Sequence, residues 1–174
     1  MEKRYYIAYG SNLNLRQMKM RCPTAKFVGT GTIEDYELQF KGNAFGAHAT
    51  IAPCPGASVP VGVWKIQPGD ERALDFYEGH PNYYFKEQLP VKVDGRERST
   101  MVYIMDLNRD FGIPARRYFE IIAEGYRDCG LDENVLYHAL NDAIMRQRSV
   151  MDQQLEQAAG ESCTANDTHE VKMT

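Results

Sequence analysis

The stretch Tyr5-Tyr6-Ile7-Ala8-Tyr9-Gly10-Ser11-Asn12-Leu13-Asn14 constrains this chain more than any other. Tyr5 to Tyr9 is aromatic, β-branched or small, and reads as a buried strand. Gly10-Ser11-Asn12 breaks that strand, and Gly10 lets another molecule approach the main chain closely. A helix is predicted directly behind it. Asn14 is a good N-cap, Gln17 stands three residues on as in a capping box, and Leu15, Met18 and Cys22 share a face. Lys19 and Arg21 suit the negative end of that helix, and Pro23 ends it. A strand that passes through a small-residue loop into a helix start brings unpaired N–H groups and the positive end of a dipole together, which suits an anion. The same pattern also fits a strand-to-helix turn that binds nothing.

The rest of the chain has to bury this strand. The 174 residues suffice for one domain with its own core, taken as 1–150, followed by a polar extension over 151–174. A net charge of −4 with no basic stripe argues against nucleic acid as a partner. No apolar run is long enough to span a bilayer, so no membrane partner is expected. Cys22, Cys54, Cys129 and Cys163 lie far apart with no CxxC pair, and no signal peptide is evident. Reduced thiols and a cytoplasmic location are expected.

Downstream the pattern is largely extended. Tyr36, Leu38 and Phe40 alternate with Glu37 and Gln39, with a bend expected at Gly29 and Gly31. Residues 41–48 read as a loop, 49–52 as a short strand, Pro53-Cys54-Pro55-Gly56 as a turn, and 59–66 as a further strand. Asp70 is expected to cap a short helix through Tyr77, with Leu74 and Tyr77 on its inner face, stopped by Gly79-His80-Pro81. Strands over about 83–93 and 98–105 flank Asp94-Gly95, a strong hairpin turn; Phe85, Leu89, Val91 and Val93 share one parity of the first. Two helices close the chain, one after Pro114 and one capped by Asp132. Beyond Val150 a frayed helix and a solvated tail are expected. About six short strands with glycine bends favour a curled or closed sheet.

Among candidate working groups Glu78 stands out. It ends the short helix amid Tyr77, Tyr83 and Tyr84. A carboxyl held among rings is pushed toward neutrality and can trade a proton near pH 7. The alternative is a helix-end glutamate in water, and Asp75, one turn earlier, competes for the role. His48, His80, His138 and His169 are scattered without metal-ligand spacing, although His48 and His80 could flank a site; no metal or cofactor is expected. No serine sits in a GxSxG elbow, no Walker or GxGxxG loop occurs, and no cysteine has an electropositive setting.

The run Tyr6 to Leu13 resembles the YGSN opening of the γ-glutamylcyclotransferase-like family. The likeness continues at Gly62-Val63-Trp64-Lys65, at Leu74 to Gly79, at Tyr84 and through Pro114 to Leu140. The resemblance implies an α+β fold, a small closed mixed barrel of about six strands flanked by helices. It implies a cyclotransferase, an enzyme of the C–N lyase or acyltransferase type, needing no cofactor. In that reaction the α-amine of a γ-glutamyl group attacks its own γ-carbonyl, giving 5-oxoproline and a free amine or amino acid. On the matching positions Glu78 is the acid/base, Tyr9, Gly10, Ser11, Asn12 and Leu13 form the substrate loop, and Tyr84 is a further contact. Alternation leaves open whether Tyr83 or Tyr84 turns inward. A small γ-glutamyl molecule is the implied partner, and a homodimer is possible. The short link from Glu78 to Tyr84, with Pro81 in it, looks more like the γ-glutamylamine and plant-type branches, whereas the YGSNL opening and the C-terminal helices look more like the γ-glutamyl-amino-acid branch. A deprotecting enzyme of a biosynthetic pathway, or a non-catalytic binder with the same pocket, stays open.

Overall fold

A computed structural model describes residues 4–166. Five strands close into a barrel in the order β1-β3-β2-β4-β5, where β1 is Arg4–Ala8, β2 Lys26–Lys41, β3 His48–Ile66, β4 Tyr84–Val93 and β5 Arg96–Met105. Every pairing is antiparallel except β1 with β5, which meet in parallel at Tyr6 and Met101 and make the barrel mixed. The helices are α1 (Leu15–Arg21), α2 (Pro68–Glu78), α3 (Arg116–Asp128) and α4 (Glu133–Asn166).

The strand count is five where about six are expected, because 49–52 and 59–66 are parts of one strand, β3. Pro53-Cys54-Pro55-Gly56 continues it instead of turning. The prolines are tolerated because β1 pairs only with residues 62–66 of β3, so here β3 has β2 alone for a neighbour. The partner strand bulges between Glu34 and Tyr36, with Asp35 at φ +60°, and Asp35 Oδ1 accepts the Gly56 N–H at 2.9 Å.

Helix ends follow local chemistry. Asn14 Oδ1 accepts the Gln17 N–H at 3.1 Å, as its N-cap role predicts. α2 starts earlier than expected: Gln67 is its N-cap, Pro68 begins it, and Asp70 accepts the Gln67 N–H at 3.0 Å from the first turn. Asp70 is buried and also takes the Thr24 hydroxyl at 2.6 Å, tying α2 to the end of α1. Leu74 is buried as expected, but Tyr77 is 44% exposed and lies over α1 rather than the core. On β4 it is Tyr84, not Phe85, that turns inward, with Val91 and Val93.

The helical hairpin seals one side. Ile122, Tyr126, Leu136 and Ala143 are buried, each large apolar side chain contributing about 1.5–3 kcal/mol. Gly125 of α3 sits directly on the turn after β1: a Cβ there would lie 2.5 Å from Asn14 N and 2.7 Å from Leu13 C. Only glycine allows that approach. α4 runs unbroken through Asn166, and residues 151–159 expose their side chains; the remainder of the expected tail, 167–174, lies outside the described residues. No described helix is long and apolar enough to cross a membrane.

Candidate active site

Glu78 is the last residue of α2, and the cap behind it fixes where it points. Gly79 adopts φ +64°, ψ +33°. Its N–H donates to Phe76 O at 3.3 Å and that of His80 to Asp75 O at 2.9 Å, so the helix stops there. The Glu78 carboxyl meets the turn after β1: Asn12 Nδ2 donates to Glu78 Oε1 at 2.9 Å across 66 residues of chain. Burial raises the Glu78 pKa from 4.5 to about 7, against the lowering influence of the Arg21 charge and the Asn12 hydrogen bond. The negative end of α2 works in the same direction as burial.

The turn itself is a single 3-10 turn, Ser11–Leu13, in which Leu13 N–H donates to Gly10 O at 3.0 Å and Asn14 N–H to Ser11 O at 3.2 Å. Among the described residues no protein acceptor takes the N–H of Ser11 or Asn12. Gly10, Ser11 and Asn12 line an inner cavity of about 30 Å³ together with Glu78, Tyr9 and Tyr84. That volume holds one or two water-sized groups, which is the scale of a carboxylate. Leu13 does not reach the cavity: its N–H closes the turn and its side chain is fully buried in the core. Outward, Ser11, Glu78, Tyr84 and Tyr118 also border a chamber of about 360 Å³ walled by Tyr77, Tyr83 and His48.

The ring hydroxyls fall into two groups. Tyr9, Tyr84 and Tyr103 spend their protons on the protein, donating to Tyr103 O at 2.5 Å, Ala49 O at 2.6 Å and Asp75 Oδ1 at 2.5 Å. Tyr6 and Tyr118 act as acceptors, from Asn12 Nδ2 at 2.8 Å and from the Ala49 N–H at 3.1 Å. Their own protons remain for a ligand. Burial holds the phenols of Tyr6, Tyr9, Tyr84 and Tyr118 above their ordinary range, so all are neutral donors. Tyr84 therefore offers a ring face, and Tyr83, the other candidate, bonds His48 Nδ1 through its hydroxyl at 2.9 Å at the outer chamber. Burial lowers the His48 pKa.

Asp75 is differently employed. Against partial desolvation, hydrogen bonds from Lys86 and Tyr103 hold its pKa below the ordinary value, so it stays a carboxylate beside Lys86 at 2.9 Å. Burial pushes the Cys22 thiol up to about 12 and Cys129 to about 11, which leaves neither a nucleophile.

Tyr6, Ala49, Tyr103 and Tyr118 also line the inner cavity, although the sequence singles none of them out as a site residue. Tyr118 sits at helical spacing among core residues, and Ala49 and Tyr103 come from distant strands. Only Tyr6 carried a signal, its place in the opening motif.

A closed mixed barrel holds one protonatable carboxyl in the same cavity as free main-chain amides and neutral phenols, a set of groups that can trade a proton with a small polar molecule. Residues 6–121 match the family described as Gamma-glutamyl cyclotransferase, AIG2-like. The chain is 32% identical over 136 residues to the gamma-glutamylcyclotransferase of Homo sapiens, covering 72% of this chain and 71% of that protein. It is 31% identical over 139 residues to that of Bos taurus, again covering 72% and 71%. A solved gamma-glutamyl cyclotransferase superposes with a TM-score of 0.72 at 28% identity, covering 79% of this chain and 86% of the other. The chain belongs to the gamma-glutamyl cyclotransferase, AIG2-like family.

Proposed function

We propose that this chain is a γ-glutamylcyclotransferase-type enzyme that converts a γ-glutamyl compound into 5-oxoproline and a free amine or amino acid. The observation that carries the reading is the Glu78 carboxyl, poised near neutrality, in one cavity with the Gly10–Asn12 turn.

The substrate α-carboxylate fits the inner cavity, taken by the main-chain N–H groups of Ser11 and Asn12. Glu78, as carboxylate, accepts a proton from the substrate α-ammonium. The freed amine attacks the γ-carbonyl carbon, a C–N bond forms, and the π electrons move onto oxygen. Tyr118 and Tyr6 are the neutral hydroxyls available to that oxygen. As the carbonyl re-forms, the bond to the leaving nitrogen breaks and that nitrogen takes the proton held by Glu78; Glu78 then accepts the second proton of the attacking nitrogen, leaving the neutral lactam, and passes it to the departing amine, which leaves as an ammonium. No water is consumed. Nucleophile and electrophile belong to one molecule, so the chain's task is to fold the substrate and relay two protons from the attacking nitrogen to the leaving one. The leaving group extends into the outer chamber of Tyr77, Tyr83 and His48.

The test is release of 5-oxoproline from a panel of γ-glutamyl dipeptides and γ-glutamyl amines. Glu78→Gln is expected to lower turnover by about a thousandfold, within the usual range for a positioned acid/base, with an unchanged far-UV circular dichroism spectrum. Wild-type turnover in that variant would remove Glu78 from the mechanism.

A further inference from the structure

We infer that Arg21 is a positioning residue: acting through Asn12, it decides which atom of that side chain meets Glu78 and so keeps the carboxyl able to accept a proton. The role rests on Glu78 being the acid/base of the proposed reaction.

The geometry admits one orientation of Asn12. Arg21 Nη1 donates to Asn12 Oδ1 at 2.6 Å. A guanidinium has five donors and no acceptor, so the atom facing it has to be the amide oxygen. The amide nitrogen is thereby turned the other way, and its two protons go to Glu78 Oε1 at 2.9 Å and Tyr6 Oη at 2.8 Å. Both amide protons of the Asn12 side chain are thus committed and its oxygen is engaged by Arg21. Were the amide reversed, its oxygen would face the carboxylate, and the two acceptors would repel unless Glu78 kept its proton. A protonated Glu78 cannot start the reaction.

Arg21 is itself held on every side. Its Nη2 donates to Gln17 Oε1 at 2.9 Å and to Tyr77 Oη at 2.6 Å, and Nη1 also reaches Ser11 Oγ at 3.3 Å. Its guanidinium carbon stands 3.6 Å from the centre of the Tyr77 ring. This planar fork reads Ser11, Asn12, Gln17 and Tyr77 together, which a lysine could not. One side chain at the end of α1 therefore links α2 to the substrate turn.

The charge acts in the same sense. Around Glu78 the titratable groups of β1 (Tyr6), the turn after it (Tyr9), β4 (Tyr84), β5 (Tyr103) and α3 (Tyr118), with Cys22 behind α1, are all raised by burial and uncharged near pH 7. On α2, Asp75 is paired with Lys86, and Tyr77 lies against Arg21 itself. At the mouth burial lowers His48. Among the described residues Arg21 is the cation whose charge lowers the Glu78 pKa.

The deciding measurement needs no substrate. The Glu78 side-chain carboxyl is followed by carbon-13 NMR across pH 4 to 9 in the wild type, Arg21→Met and Arg21→Lys. Removing the cation and the donor is expected to raise the Glu78 midpoint by about one pH unit. The acid limb of kcat/KM should move with it, and the loss of ionised Glu78 alone should lower the rate at pH 7 about fivefold. Arg21→Lys keeps the charge but loses the fork, so it should restore much of the midpoint and little of kcat. In an Asn12→Ala background, Arg21→Met should add far less to the loss of kcat than it costs alone. A Glu78 midpoint unmoved in folded Arg21→Met, or fully additive losses in the double variant, would overturn the inference. A wild-type protein inert on every γ-glutamyl compound would instead sink the functional reading and leave the titration result standing.

Discussion

Replacing Glu78 by glutamine should stabilise the protein at alkaline pH while disabling it. Burial lifts this carboxyl from an ordinary 4.5 to about 7 in the folded chain. Between those values the native state holds a proton that the unfolded chain has released, so stability falls as pH rises through the window. Below pH 4.5 both states are protonated and the site costs nothing. Above pH 7 both are ionised, and the folded state carries the whole cost of a desolvated carboxylate. The gap of about 2.5 pH units corresponds to about 3 kcal/mol. Glutamine removes the charge yet keeps an oxygen to accept from Asn12 Nδ2. Urea and thermal unfolding of both proteins at pH 4.5 to 9 provide the assay. The variant should gain about 3 kcal/mol at pH 8.5 and nothing at pH 4.5, and its Tm should rise by roughly 6–12 °C at the upper end. A difference that does not vary with pH, or a variant less stable at pH 8.5, would refute the claim that the acid is desolvated in the fold.

Two further substitutions probe the walls of the cavity. Tyr118→Phe removes an oxygen that accepts the Ala49 N–H and a proton offered to the substrate; it should cost about 1–2 kcal/mol of stability and roughly tenfold in kcat/KM, read by urea unfolding and 5-oxoproline release. Gly125→Ala drives a methyl into the Asn14 and Leu13 main chain, so it should destabilise by about 1–3 kcal/mol and raise KM; wild-type stability would show that α3 can retreat from the turn freely.

Much of this arrangement is legible in the residues because it is local. The strand, turn and helix around Gly10, the hairpin at Asp94-Gly95 and the stop at Gly79 follow from backbone chemistry within a few residues. The continuity of β3 is not legible, because Pro53, Pro55 and Gly56 signal a turn wherever both strand edges are paired, and only the barrel's connectivity leaves one edge unpaired there. The start of α2 is displaced for a similar reason: Asp70 serves equally as an N-cap or as the first-turn acid of a capping box, and Pro68 decides between them. The site divides in the same way. Glu78 and Gly10 to Asn12 stand out by type and place, but an exposed helix-end glutamate and an empty turn fit the same pattern, and it is the family resemblance that gives them roles. Tyr103 and Tyr118 carry no such mark, since a tyrosine on a buried face looks like core until the phenol's partner is known. Arg21 reads only as a cation suited to a helix end; its forked contact with Asn12 and Tyr77 exists only once α1 and α2 lie side by side.

The eleven residues of α2 act as a ruler. Gln67, directly after β3, caps one end and the left-handed glycine closes the other, so the acid's azimuth is a count of residues between two stops. Adding or deleting one residue would swing it by about 100° and shift it by about 1.5 Å, carrying it off the pocket altogether. A change of one in that count would part the acid from Asn12, however the outer chamber or the last helix were altered.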